Sequence, residues 1–381
     1  MQLTAARRAA IVLALSATAA LTLQGLALPA AHASTAASTA AAPAATVAGI
    51  EAATARTLAA SLADPAWRAQ VRTAALGSRQ VELRTLAGRT AAPAGLDATV
   101  TAADRRIAAA KGLAPGTGSL LRLRLGADAM RDALTPGTLP LVAAATSDDS
   151  ASADDAATVT AYDSAGRAHP LSAAKAPRQA VYVVDIDVSK AVSAGLAQVD
   201  KAFAKAGLTT PGAVTPNTGG FWTTRVDSVY LNDDEEPWIL GDAEIFSIVS
   251  GFGLDGKVRV DTVDMPYLDD DHTTYYPNQI LVNWSNYKYN LADVVMMEDD
   301  GDTNYATLAK ALADALLTIT DQGAYIPLVD AILAAIPASW YTNDADYVDS
   351  WYTLARTSSG RLNGARGNGW MSVSPYFVGA L

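Results

Sequence analysis

The sequence predicts an α+β protein with a small helical and mixed N-terminal region and a C-terminal antiparallel β-sandwich that carries a two-helix insertion. Apolar residues recur at helical spacing from Val47, and short strands separated by polar turns dominate after residue 220. Residues 222–381 hold 24 acidic and 8 basic residues, whereas the preceding part holds 15 and 20. Six of the seven Trp and twelve of the fourteen Tyr also follow residue 220. Two unlike parts are therefore expected.

The N-terminus has the features of a secretory signal peptide. Two arginines precede an apolar run at residues 9–28, and Ala31-His32-Ala33 matches a cleavage motif. We expect residues 1–33 to be removed after Ala33 and the protein to be secreted. A membrane anchor is the alternative, but the run is barely long enough to span a bilayer. No later apolar run is long enough, so no transmembrane span is expected in the mature chain.

Composition excludes several classes of function. The chain has no cysteine, which excludes disulfides, thiol catalysis, Cys-ligated zinc and iron–sulfur clusters. Its formal net charge of −11 argues against binding to nucleic acid and to anionic membranes, because like charges repel.

The N-terminal region is expected to span residues 47–208, after a disordered Ala/Ser/Thr-rich leader at 34–46. A first helix begins near Val47. Asp64-Pro65 predicts the start of a second helix, with Asp at the N-cap and Pro at the first helical position, and Gly77 ends it.

Short strands follow from about residue 111. In Ser119–Leu125, Arg122 and Arg124 alternate with leucines, which predicts a half-buried strand. Further strands are expected at residues 139–144, 158–162 and 181–186, followed by a helix at 189–206. Residues 209–220 contain two Pro and three Gly but no charge, and they predict a linker.

The acidic, aromatic-rich domain is expected to span residues 221–381. Its strands are predicted at residues 225–231, 243–250, 257–263, 279–284, 291–297, 348–356 and 370–378. Leucines at helical spacing in residues 305–319 and an apolar run at 326–336 predict two helices between the fifth and sixth strands. Seven short strands with polar turns are typical of an antiparallel sandwich.

Acidic residues cluster at the ends of these strands, and they predict a calcium site. Calcium takes six to eight oxygen ligands, and loops at one end of a sandwich supply them from separate stretches of sequence. The loops after the first and fifth strands and before the sixth are expected to converge. The six candidate ligands are Asp233, Asp234, Glu236, Asp300, Asp302 and Asp344. A merely solvated acidic surface is the alternative.

A secreted hydrolase is the alternative function, with paired carboxylates acting on a saccharide or peptide. His272, beside Asp269–Asp271, is a candidate base, and a surface histidine is the plainer interpretation. Neither a G-x-S-x-G elbow nor an H-E-x-x-H motif occurs.

Exposed aromatics suggest a third function, adhesion to an extracellular or cell-envelope ligand, in which calcium would only stabilise the fold. Predicted loops contain Trp238, Tyr275, Tyr276 and Tyr341, which would stack on sugars. Predicted strands hold or border Trp222, Trp284, Trp351 and Trp370, which are expected in the core.

Several short motifs resemble a bacterial family of exported proteins and lipoproteins that is catalogued only as a domain of unknown function. The stretch from Val229 to Trp238 reads VYLNDDEEPW, and GDAEI, MPYL, YPNQI and WYTND follow it in the chain. The resemblance implies export and carries over no catalytic residues. Unlike the anchored members, this chain lacks a lipobox cysteine.

Overall fold

The computed structural model describes residues 46–145, 158–173, 175–208, 219–232, 238–239, 243–299, 303–336 and 347–380. Its helices are α1 (Val47–Ser61), α2 (Pro65–Gly77), α3 (Leu83–Ala87), α4 (Leu96–Ala110), α5 (Val188–Ala206), α6 (Tyr305–Leu316) and α7 (Val329–Ala335). The predicted signal peptide lies outside the described residues. None of the helices in the described part has the length and apolarity needed to cross a bilayer.

The N-terminal half of the described chain builds a mixed sheet with the strand order β1-β2-β6-β3-β4-β5. Its pairs are antiparallel except for β3 and β6, which run parallel. The strands are β1 (Gln80–Glu82), β2 (Leu121–Leu125), β3 (Leu141–Ala144), β4 (Thr158–Tyr162), β5 (Ala168–Ser172) and β6 (Val181–Ile186). The four strands predicted here are confirmed.

The C-terminal half forms two further antiparallel sheets. The outer sheet has the order β10-β7-β15-β14, with β11 also on β7, and the inner sheet has the order β13-β12-β8-β9. The strands are β7 (Phe221–Leu231), β8 (Ile245–Phe252), β9 (Val258–Asp264), β10 (Thr274–Tyr275), β11 (Gln279–Asn283), β12 (Leu291–Glu298), β13 (Tyr347–Ala355), β14 (Gly360–Asn363) and β15 (Gly369–Val378).

The two sheets form the predicted sandwich. One core joins Val229 and Met371 of the outer sheet to Val294 and Met296 of the inner sheet. Because side chains alternate along a strand, the neighbouring Met297 points to the opposite face of the inner sheet. That face packs in a second core with residues of α5, α6 and α7. The α+β class and the two-helix insertion are therefore confirmed.

Local signals explain where the predicted helices begin. The Trp67 N–H donates to Asp64 Oδ1 at 2.8 Å, so Asp64 is the N-cap and Pro65 is the first residue of α2. Helix α5, expected at 189–206, spans 188–206. Helix α4 was not predicted from the sequence, although Leu96, Val100 and Ile107 have helical spacing.

The expectation of a half-buried β2 is wrong for one arginine. Arg124 is 7% exposed, and its Nε donates to Asp185 Oδ2 at 2.9 Å. Its guanidinium also donates to the carbonyl of Ile239, from the C-terminal half of the chain. The buried charge is compensated by partners that lie far away in sequence. The alternating pattern of the strand does not indicate these partners, so the burial of Arg124 could not be predicted from it.

One hydrophobic core extends across the predicted division of the chain. It contains Leu58 and Val183 from the N-terminal half and Ile248, Val295 and Leu312 from the C-terminal half. Ala44–Leu381 accordingly group into one compact unit. The predicted linker at 209–220 lies outside the described residues except for its last two. Its role as a domain boundary stays a prediction.

Candidate functional site

The six predicted calcium ligands lie outside the described residues. Asp233, Asp234 and Glu236 follow β7, Asp300 and Asp302 follow β12, and Asp344 precedes β13. The strand ends that lead into these three loops are described, and their positions test whether the loops start from the same end of the sandwich.

The ends of β7 and β12 and the start of β13 lie together. Met297 of β12 pairs with Tyr347 of β13, so the chain leaves one strand and enters the next at the same edge. After β7, the Asn232 N–H donates to the Asn368 carbonyl at 2.8 Å. Asn368 Nδ2 in turn donates to the Val348 carbonyl at 3.4 Å. The three strand ends therefore lie together in the described residues, and convergence of the loops themselves stays a prediction.

A buried aspartate fixes the two sheets to each other at this end. Asp349 is fully buried, and its carboxylate accepts backbone N–H bonds from Ser350, Arg366 and Gly369 at 2.8, 2.8 and 2.9 Å. A Cβ at Gly364 would lie 2.0 Å from Asp349 Oδ2, so only glycine fits there. This carboxylate on β13 thus holds the turn between β14 and β15 and makes the end of the sandwich rigid.

A buried ion pair lies on the other side of the end of β12. Lys111 and Asp299 are both fully buried, and Nζ lies 3.1 Å from each carboxylate oxygen. The Tyr305 hydroxyl donates to Asp299 Oδ2 at 2.6 Å. Burial raises the pKa of Tyr305 well above its usual value, and the Asp299 charge adds to the shift. Lys111 and Tyr305 together hold Asp299, the residue immediately before Asp300, and they connect the end of α4 to the start of α6.

Glu298 and Glu244 complete the acidic surroundings of that pair. Glu298 is 1% exposed, and the Asp299 N–H donates to the Glu244 carbonyl at 3.2 Å. The Glu244 carboxylate accepts from the Ser189 hydroxyl at 3.2 Å. Within the described ranges, no three His, Asp or Glu side chains are arranged to hold a metal ion.

Comparison with known proteins agrees with the resemblance in the motifs. The family model described as "Protein of unknown function (DUF3103)" matches residues 30–380. The chain belongs to this DUF3103 family. Neither the curated proteins nor the solved structures contain a match.

His272 of this DUF3103 protein has a partner that the sequence did not indicate. Its Nδ1 lies 3.2 Å from the hydroxyl of Tyr230, on β7. Asp269, one of the expected orienting acids, instead accepts from the Tyr275 hydroxyl at 2.8 Å. Asp270 lies 3.4 Å from the same hydroxyl. The histidine therefore belongs to the aromatic surface of the outer sheet.

The aromatic residues of the DUF3103 chain divide differently from the expectation. Trp284 and Trp351 are buried, as predicted. Trp222 is 43% exposed beside Phe377, and Trp370 is only half-buried, so the assignment of both to the core is wrong. Tyr276 is 72% exposed, in agreement with a loop position. Tyr341 lies outside the described residues.

Trp238, expected as a free sugar-stacking residue, is anchored to the N-terminal half. Its Nε1 donates to the Ser172 carbonyl at 3.3 Å, and a Cβ at Gly126 would lie 2.7 Å from its ring. This contact and the Arg124 bond to Ile239 hold the described residues after the first acidic loop.

A cavity of about 520 Å³ lies away from the sandwich, beside α2 and the end of α3. It is lined by Ala69, Gln70, Thr73, Gly88, Arg89 and Thr90. The lining contains no carboxylate and no histidine, so the paired acids of the hydrolase hypothesis are not found in this cavity.

Proposed function

We propose that this DUF3103 protein is an exported binding module whose C-terminal sandwich binds calcium in the acidic loops at one end, and that it attaches to an extracellular or cell-envelope ligand. The convergence of the ends of β7 and β12 with the start of β13 carries the proposal. Export rests on the N-terminal sequence alone.

The chemistry of the three loops supports calcium as the ion. Residues 233–236 are four consecutive carboxylates, and such a series repels itself unless a cation neutralises it. Asp300, Asp302 and Asp344 would supply oxygens from the other two loops. Calcium accepts such a mixed and flexible oxygen set, whereas magnesium demands a near-ideal octahedron.

The described residues would provide a rigid base for these loops. Asp349 and Asp299 are fully occupied by hydrogen bonds and by the ion pair with Lys111, so their contacts hold the strand ends in place. A preformed base favours binding because less chain must be ordered when the ion arrives.

A thermal melt of residues 34–381 in EDTA and in millimolar calcium tests the proposal. An ion that binds only the native state at a hundredfold excess over Kd stabilises it by about 2.7 kcal/mol. At roughly 2–4 °C per kcal/mol for a large domain, we expect Tm to rise by about 5–10 °C.

Two matched double variants make the test specific. D233N/D234N is expected to abolish the calcium-dependent rise in Tm. D128N/D132N removes the same charge from exposed positions in the N-terminal half and is expected to keep the rise. A Tm that is identical in EDTA and calcium contradicts the proposal, and so does an equal loss in both variants.

A further inference from the structure

The exposed face of the outer sheet carries an ordered group of polar and aromatic side chains. In register, Asn363 of β14 pairs with Trp370 of β15, which pairs with Tyr230 of β7. One row along, Arg361 pairs with Ser372, which pairs with Ser228. Cross-strand partners point to the same face, so these six residues share one face across three strands. Ser228 is buried, and the other five residues form the accessible surface that is here named the Arg361 patch.

Aromatic stacking holds Arg361 in place. Its guanidinium carbon lies 4.3 Å from the Trp370 ring centroid, and Trp370 is stacked on Tyr230 at 5.7 Å with an interplanar angle of 12°. Contact with the indole restrains the guanidinium without using its N–H donors on a carboxylate, so these donors remain available to a ligand.

Arg361 differs from two other stacked arginines of the sandwich, Arg225 and Arg259, in having no acidic partner among the described residues. Arg225 stacks on Tyr376 and pairs with Asp227 at 2.7 Å. Arg259 lies over Tyr287 and pairs with Asp261 at 2.8 Å. The hydrogen bond of Arg361 is a 3.4 Å contact from Nε to Asn363 Oδ1.

Charge and hydrogen-bonding groups together define the ligand. Residues 222–381 are acidic overall and repel polyanions at long range, so an anion would be held there only by a local contact. Exposed Arg361, which has no carboxylate partner in the described part of the chain, offers such a contact. Guanidinium groups bind carboxylates through two parallel hydrogen bonds. Beside it, the Ser372 and Asn363 side chains offer donors and acceptors that match sugar hydroxyls. Neighbouring strands are about 4.8 Å apart, so the row is about 10 Å long.

We propose that the Arg361 patch binds an acidic polysaccharide, with Arg361 on a uronic-acid carboxylate and with Ser372 and Asn363 on ring hydroxyls. A peptide would need side-chain pockets or an added strand at the edge of the sheet, whereas the patch lies on the face of three paired strands, which favours a sugar chain. The inference rests on the binding-module part of the proposed function and is independent of calcium.

Calorimetric titration of residues 34–381 with a short oligogalacturonate tests the inference, in EDTA and at low salt. We expect saturable binding, and at least about tenfold weaker binding of R361Q, since one hydrogen bond to a charged group is worth about that factor. R356Q removes an equal charge from an exposed position immediately after β13 and is expected to bind within about twofold of wild type. The methyl-esterified oligosaccharide, which lacks the carboxylate charge, is expected to bind at least about tenfold more weakly.

Several results would overturn the inference. These are no binding by the wild-type chain, equal losses in R361Q and R356Q, and equally tight binding of polyglutamate, which would identify a peptide ligand. Because the titration contains EDTA, failure of the calcium proposal leaves this result unaffected. A calcium-dependent Tm without oligogalacturonate binding would reject the patch alone.

Discussion

Asp321 shows how a single carboxylate holds a loop of the insertion. Its Oδ1 accepts from the Tyr289 hydroxyl at 2.6 Å and from the Gly323 N–H at 2.8 Å, and the Lys288 ammonium lies on Oδ2. The hydrogen bond from Lys288, followed by those from Tyr289 and Gly323, lowers the pKa of Asp321 to about 2. The residue thereby ties the connection between α6 and α7 to the connection between β11 and β12.

This lowered pKa predicts a specific acid sensitivity. The unfolded value is about 3.9, so the contribution of Asp321 to stability is complete above that pH and is lost as the pH falls towards 2. We expect D321N to melt below wild type at pH 6, with the difference in Tm narrowing between about pH 4 and pH 2. D314N, at an exposed i,i+4 pair with Lys310, is the control and should differ little from wild type at any pH. A constant difference for D321N would contradict the assignment.

Residues with local partners could be predicted from the sequence, and residues with distant partners could not. Asp64 caps α2 by accepting a hydrogen bond from the N–H three residues later, so its role could be predicted from the local sequence. Lys111 meets Asp299 after 188 residues, and Arg124 meets Ile239 after 115. Nothing near Lys111 in the sequence distinguishes it from a solvated lysine, because only the tertiary fold removes it from water.

At the scale of elements, the packing of α5 against α6 depends on one glycine. Gly195 lies inside α5, where glycine is ordinarily unfavourable. A Cβ at this position would lie 2.3 Å from the Tyr305 ring, so the glycine lets the helix approach the tyrosine that bonds Asp299. Helix packing and the buried ion pair are thus physically connected.

We expect G195A to destabilise the protein by about 1–3 kcal/mol, since the added methyl overpacks a filled interface. G77A is the matched control, because Gly77 ends α2 and a Cβ added there would meet no atom within 4 Å. Alanine there should be neutral or stabilise by up to about 1 kcal/mol. Chemical denaturation of both variants measures the difference. An equal effect at the two sites would show that the contact with Tyr305 is unimportant.

The periodic elements of the sandwich were predictable because burial on one face of a strand leaves an alternating pattern. The candidate site was predictable only as far as its strand ends, whose convergence follows from antiparallel pairing. The buried Asp349 holds the turn between β14 and β15 through the N–H groups of Arg366 and Gly369. Every residue except proline has a backbone N–H, so the sequence does not indicate which ones bind this carboxylate. The Arg361 patch depends on the register between β14, β15 and β7, which strand prediction alone does not supply.

For the whole molecule, charge and aromatic content divide the chain sharply, whereas the core does not. Phe246, Val260 and Met297 lie on the face of the inner sheet that packs in the core shared with α5. Burying a large apolar side chain stabilises the folded state by roughly 1.5–3 kcal/mol. Exposing a few of these side chains would therefore cost much of the free energy of unfolding of a typical domain, which is roughly 5–15 kcal/mol. The acidic surface and the shared core are thus independent properties of the chain.

A cut in the predicted linker tests whether the two halves depend on each other. With a protease recognition sequence placed between residues 209 and 218, we expect the cleaved halves to co-elute in size-exclusion chromatography and to melt in one transition, because the shared core and the buried Lys111–Asp299 pair still join them. Separation of the wild-type halves should require denaturant. K111M should lower the denaturant concentration at which the halves separate, because the substitution leaves the Asp299 charge buried without its ammonium partner. R105Q, at an exposed position on α4, is the control and should leave the cleaved halves together. Halves that separate without denaturant and each melt cooperatively would establish two autonomous domains joined at 209–220.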